Sequence, residues 1–171
     1  MNLICRLPLA GGIALPPGVL LRGYRPRDWS SYIKLDLEAA IASGAAYKSG
    51  SGPFSIDEWT RGRLTSYFVR SPTGVVPRSW TIMVLEEKDG PIFAQVSWED
   101  EGISSRTIIG TRIESIAVTS SYRRRGFGRM LMFFAARHAM AVGAQQLTLE
   151  VAEDNLPALS FYEALGFTRS K

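Results

Sequence analysis

The sequence predicts an α/β fold, and three observations carry that expectation. A strand-like run at residues 113–118, with Ile113, Ile116, Ala117 and Val118 apolar, passes through Thr119-Ser120-Ser121 into arginines, glycines and a segment of helical length. Strand and helix patterns alternate in the order strand, two helices, two strands, then strand, helix, strand and helix. At 171 residues, 46% hydrophobic and 21% charged, the chain can bury a real core and has an ordinary globular balance.

Residues 1–18 are apolar but interrupted by Pro8, Gly11, Gly12, Pro16 and Pro17, and read as an irregular tail that covers the domain or meets a partner. Arg6 before an apolar run suggests a cleavable signal, but the run is broken and the domain starts directly after it. No stretch approaches the ~20 apolar residues of a membrane span. One domain, 19–171, is expected to follow.

Residues 19–24 read as its first strand. Asp28 after Pro26 is placed to cap a helix with Trp29, Tyr32, Ile33, Leu37, Ala40 and Ile41 on one face and Gly44 at its end. Residues 45–53, with Gly50, Gly52 and Pro53, form a loop. Ser55 and Glu58 make a capping-box pattern that opens a second helix, with Ile56, Trp59, Leu64, Tyr67 and Phe68 inward and a weak point at Gly62. Residues 71–77 are a turn region. Strands at 80–85 and 92–98 flank Lys88-Asp89-Gly90 as a hairpin, and the polar segment 99–110 connects it to the central strand. A helix at 127–142, a strand at 147–151 and a last helix complete the chain.

The turn after the central strand has the chemistry of an anion site. A helix N-terminus offers unpaired N–H groups and the positive end of its dipole. Glycine lets a phosphate approach the backbone without a Cβ in the way. A run of arginines is commonly a solvated or nucleic-acid-attracting feature; at a strand-to-helix junction the anion reading is stronger. A dinucleotide fold fails, because counting from Gly126 its third glycine would be Leu131 and one further strand makes no doubly wound sheet. A P-loop fails for want of its Gly-Lys-Ser/Thr ending.

The stretch Val118-Thr-Ser-Ser-Tyr-Arg-Arg-Arg-Gly-Phe-Gly128 resembles the acetyl-CoA signature of the GNAT superfamily of N-acetyltransferases, Arg/Gln-x-x-Gly-x-Gly/Ala after a strand ending in Val. A second block, Leu149-Glu150-Val151 with Asn155, Ala158, Phe161-Tyr162-Glu163 and Leu165-Gly166-Phe167, resembles the family's next strand and helix at the family's spacing. Together they cover about the C-terminal third. The C-terminal block is similar to the branch that acetylates the N-terminal alanine of ribosomal proteins, whereas the N-terminal half and the short C-terminal end lean away from it. The family resemblance implies a mixed central sheet with helices on both faces, and acetyl-CoA as acetyl donor in the opening between two splayed strands. The cofactor residues it implies are Arg123, Arg124, Arg125, Gly126, Phe127, Gly128 and Arg129 around the pyrophosphate. It also implies the backbone of Ile116, Ala117 and Val118 beside the pantetheine arm and near the thioester carbonyl. Asn155 either bonds that arm or caps the last helix.

The reaction sets further demands. A lysine-like acceptor with a pKa of ~10.4 needs a base, direct or through water. Glu150 is the first choice by resemblance and Glu114 the second, and each could instead be a structural carboxylate. The departing thiolate, of pKa ~8.5, needs a proton source, and Tyr162 matches the family's general acid; its alternative is a core aromatic. His138, the sole histidine, reads as a satisfied or surface side chain, so no zinc site is expected. The single cysteine, Cys5, allows no internal disulfide and suits a reducing, cytoplasmic setting. The net charge of +4 is modest, and an anionic cofactor accounts for much of it.

The leading function is acetyl transfer from acetyl-CoA to a primary amine of a small molecule or protein by direct attack in a ternary complex. The alternatives are an acetyl-CoA-binding module without turnover and a basic nucleic-acid binder, although no aromatic-interleaved basic patch supports the latter. No membrane partner is expected. One departure stands out: after Leu165-Gly166-Phe167 only one short strand fits before Lys171, where the family continues into a strand pair. An exposed edge on the 147–151 strand then invites pairing, and a homodimer with acceptor sites near its interface is the expected cover.

Overall fold

The computed structural model describes residues 1–7, 14–48, 52–88, 90–104 and 107–170. Pro8, Gly11, Gly12, Gly50, Asp89 and Lys171, which entered the expectations above, lie outside the described residues. The elements are β1 (Asn2–Arg6), β2 (Val19–Gly23), α1 (Trp29–Ala42), β3 (Tyr47–Lys48), β4 (Gly52–Pro53), α2 (Ile56–Ser66), β5 (Phe68–Ser71), β6 (Gly74–Pro77), β7 (Thr81–Glu87), β8 (Ile92–Ser104), β9 (Thr107–Val118), α3 (Phe127–Ala141), β10 (Gln146–Glu150), α4 (Leu156–Glu163) and β11 (Thr168–Arg169).

Seven strands form one sheet in the order β11-β1-β10-β9-β8-β7-β2. Only β9 and β10 run parallel, joined by α3; the other pairs are antiparallel. The pleat sends alternate side chains to opposite faces. Ile82 and Val84 pack with Tyr32 of α1 and Phe68, whereas Leu85, Ala94, Val96 and Trp98 pack with Leu131, Met132, Ala135 and Ala139 of α3. Helices therefore cover both faces of a mixed sheet.

The N-terminal residues differ from the expectation. Residues 2–6 are a ladder strand, not an irregular tail: β1 pairs with β10 from Asn2↔Glu150 to Arg6↔Gln146, and β11 pairs with the far side of β1. Leu3 and Cys5 are buried on the α3 side of the sheet. The prolines that marked residues 1–18 as irregular do not interrupt this ladder, because it ends at Arg6. The β10 edge that was to invite a second copy is covered by the chain itself, which removes the ground for expecting a homodimer.

Four other expectations shift. The polar segment 99–110 is not a connector, because β8 continues to Ser104 and β9 begins at Thr107. Across that ladder Glu99 lies opposite Arg112, a pair of complementary charge. Residues 68–71 and 74–77 form a hairpin in place of helix end and turn, so Phe68 is buried from β5. On α2 the capping box is present, with Ser55 N donating to Glu58 Oε2 at 2.9 Å, but none of the helix's residues is buried and Ile56 is exposed. Asp28 sits at the α1 N-cap without capping it; its carboxylate pairs with Arg22 and accepts from Arg25 N at 2.7 Å.

Candidate active site

The site begins with a register change. Across β8, Ser97 faces Ser115 while Trp98 faces Ile113, so Glu114 is an extra residue in β9. Such a bulge bends a strand and strengthens its twist. On the other side β9 pairs with β10 only from Thr111 to Ile113, and Glu150 at the end of β10 faces Asn2 of β1 instead. Residues 114–118 thus diverge from β10, and a cleft of about 1040 Å³ opens between the strands, α1, α3 and α4.

One end of the cleft is an anion cradle. Arg124 (φ 63°) and Gly126 (φ 85°) take left-handed backbone conformations around Arg125. Alternation of this kind turns successive N–H groups to one side, making a nest. Gly126 is the α3 N-cap, and no backbone acceptor engages the N–H groups of residues 124–129 among the described residues. Arg123, Arg124 and Arg129 line the cleft. Arg123 also braces the turn, donating through Nε to Val118 O at 2.9 Å and pairing with Glu38 at 3.4 Å. Arg125 does not join the lining; its guanidinium lies over the Tyr122 ring, 5.3 Å from the centroid. Gly128 has a packing role as well: a Cβ there would lie 3.3 Å from Phe161 Cζ of α4.

At the splay, Glu114, Glu150 and Tyr162 line the same cleft. Glu114 is largely buried, with 14% of its side chain exposed. Its Oε1 is shut from solvent and accepts no hydrogen bond, since Arg112 Nη2 approaches to 2.7 Å out of alignment. Burial pushes the carboxyl above its usual value of 4.5; Arg112 pulls it down, and Glu99, Glu101 and Glu150 push it up again. Glu150 is exposed. Burial raises the Tyr162 phenol to about 12.

Residues 93–167 match the sequence model of the Acetyltransferase (GNAT) family. Mycothiol acetyltransferase from Thermobispora bispora is 28% identical over 156 residues, 91% of this chain and 48% of that protein. Streptothricin acetyltransferase from Streptomyces lavendulae is 46% identical over 55 residues, 32% of this chain and 29% of that protein. A crystal structure of a possible acetyltransferase from Clostridium difficile 630 superposes with a TM-score of 0.67 at 19% identity, covering 90% of this chain and 92% of that one. The chain is thus similar to GNAT-superfamily acetyltransferases, with the family match lying in residues 93–167. It spans about half the length of the mycothiol acetyltransferases that it matches over most of its own length.

The GNAT family implies acetyl-CoA as co-substrate, and the cleft fits that group on two counts. The nest and arginines suit phosphates. The unpaired flank of residues 116–118 offers backbone groups to the amides of an extended arm. Asn155 caps α4, its Oδ1 accepting from Ala158 N at 3.3 Å, while it also lines the cleft. His138 is satisfied away from the cleft, 2.9 Å from Asp100 and against the Trp98 ring.

Sequence reasoning missed the wall of the cleft built by α1 and α2. Asp36 is 2% exposed and accepts from Trp59 Nε1 at 2.8 Å and from Arg63 Nε at 2.7 Å. All three side chains line the cleft. An aspartate on the apolar stripe of α1 was the available signal, because a carboxylate is rarely buried without a partner.

Proposed function

We propose that this chain is an acetyl-CoA-dependent N-acetyltransferase acting on a primary amine in a ternary complex. One observation carries the reading: the bulge at Glu114 sets a largely desolvated carboxylate, ion-paired with Arg112 but with no aligned hydrogen bond at Oε1, in the same cleft as the phosphate-type nest. A binding module without turnover has no need of that carboxylate.

Acetyl-CoA supplies the acetyl group as a thioester. The N–H groups of residues 124–129 and the arginines hold its phosphates, and the free flank of residues 116–118 aligns the arm and polarises the carbonyl. Glu114 takes the proton of the amine, directly or through water. Its raised affinity for a proton makes it a better base than an ordinary glutamate, and the base is assigned to Glu114. Glu150, exposed at the same splay, helps attract the cationic acceptor. Tyr162 stays protonated up to about 12 and donates a hydrogen bond toward the departing sulfur.

The named relatives include acetyltransferases of mycothiol, streptothricin, L-ornithine and peptidyl-lysine. That range supports an amine acceptor, small-molecule or protein. The buried free thiol of Cys5 supports work in a reducing compartment such as the cytoplasm. The test is release of coenzyme A thiol across a panel of amines and lysine peptides, with acetylated product identified by mass. Turnover should fall about 10²–10⁴-fold in Glu114→Gln, the range for loss of a general base. A Glu114→Gln protein with full turnover refutes the base assignment, and no turnover with any amine refutes the activity.

A further inference from the structure

Around Glu114 the sheet carries a charge cluster that the reaction as described does not use. Arg112 stands on β9 beside three carboxylates. Its Nη2 is 2.7 Å from Glu114 and donates to Glu99 Oε2 at 3.5 Å, while its Nε is 2.8 Å from Glu101 Oε1. Thr148 of β10 donates to Glu101 Oε2 at 3.2 Å. These contacts place Glu99, Glu101, Arg112, Glu114 and Thr148 on one face of three adjacent strands, next to the splay.

A guanidinium bonded in two aligned contacts to one carboxylate fixes that carboxylate as a stable anion and a poor base. Here a single guanidinium is divided among three carboxylates: its contacts with Glu114 and Glu101 are close but misaligned, and its aligned bond is the longer one to Glu99. Resting on the reading of Glu114 as the base, we propose that Arg112 is a positioning residue whose guanidinium, drawn aside by Glu99 and Glu101, orients Glu114 into the cleft without quenching it as a proton acceptor. Glu99 and Glu101 thereby act on the reaction through Arg112 and touch no reactant. The other charges of the cleft that holds Glu114 are Glu150 on β10, Asp154 after β10, the Asp36–Arg63 pair of α1 and α2, and Arg123, Arg124 and Arg129 of the anion cradle. Asp36 and Arg63 offset one another. The cluster on the sheet is therefore the adjustable part.

The proposal predicts shifts of opposite sign. Removing Arg112 takes away the attraction that favours ionised Glu114, and removing Glu101 takes away a repulsion while releasing Arg112 toward Glu114. The experiment is a pH titration of side-chain ¹³Cδ signals in glutamate-labelled full chain by NMR, with the Glu114 signal assigned by its loss in Glu114→Gln. In Arg112→Gln the Glu114 midpoint should rise by about 1 pH unit or more, as for loss of an adjacent opposite charge. In Arg112→Lys it should return most of the way, and in Glu101→Gln it should fall. Glu101 is 42% exposed, so Glu101→Gln leaves the fold intact and decides the matter if Arg112→Gln does not fold. A Glu114 midpoint that stays put or rises in Glu101→Gln overturns the proposal. The titration needs no acceptor and no turnover, so it stands apart from failure of the acetyltransferase reading. Where an amine is turned over, the acid limb of kcat/KM should move with the midpoint in each variant.

Discussion

Removing the Asp36 carboxylate should detach α2 from the rest of the domain. Asp36 is 2% exposed, and Arg63, its partner, is 19% exposed. The carboxylate accepts three bonds from α2, from Trp59 Nε1 at 2.8 Å and from Arg63 Nε and Nη2 at 2.7 and 3.1 Å. No residue of α2 is itself buried, so these bonds join the packing of half-buried Leu64 in docking it on α1. Breaking a buried pair by deleting one partner costs about 3–5 kcal/mol, because the other charge is left without compensation. Arg63 keeps some solvent and stacks on Trp59 and Tyr67, which places Asp36→Ala at the low end, about 3 kcal/mol. Asp36→Asn keeps one acceptor oxygen and should lose roughly half as much. Urea denaturation measures both. For a chain of this size 3 kcal/mol corresponds to a fall in Tm of about 6–12 °C. A loss below about 1 kcal/mol in Asp36→Ala would show that α2 is held by something other than this carboxylate. With α2 loosened, KM for the amine should rise while coenzyme A affinity, set at the other end of the cleft, stays near its original value.

Further predictions concern the turn, the base and the chain's association. Burial lifts Glu114 above 4.5, so as pH rises the unfolded chain loses this proton first, and stability falls from 4.5 up to the folded value. Glu114→Gln should therefore be more stable than the parent above that window and no more stable below it; melts at pH 4 and pH 8 check this, and a parent more stable at pH 8 refutes it. Arg124→Gly relieves a left-handed arginine at φ 63° and should stabilise the free protein by about 1 kcal/mol. Thermal stabilisation by coenzyme A should persist in that variant, since backbone N–H groups do most of the holding; its complete loss would assign the holding to the Arg124 side chain. Because β1 covers β10, one chain builds the whole cleft, and activity per chain should be independent of concentration in sedimentation-matched assays. A dimer with activity that disappears on dilution would contradict this.

What the sequence determined by itself was local. Glycines and arginines at a strand-to-helix junction announced the nest at 123–129, and Ser55 with Glu58 announced the start of α2, because each depends on neighbours a few residues away. Apolar spacing was enough for α1, β7 and α3, while α4 was read from the resemblance of its block to the family. The tertiary structure decided everything that rests on distant partners. Whether residues 2–6 are a tail or a strand depends on the free edge of β10, some 145 residues along, so no local pattern could settle it. Asp28 looks like a cap until Arg22 is beside it, and Gly128 looks like pure clearance for phosphate until Phe161 is seen 3.3 Å from where its Cβ would be. Glu114 and Glu150 are equivalent as letters. They became different only when a one-residue bulge set the first, largely desolvated, among Arg112, Glu99 and Glu101 and the ladder with β1 left the second at the surface, because burial and neighbouring charge, which raise the hold of Glu114 on its proton, come from residues distant in the chain.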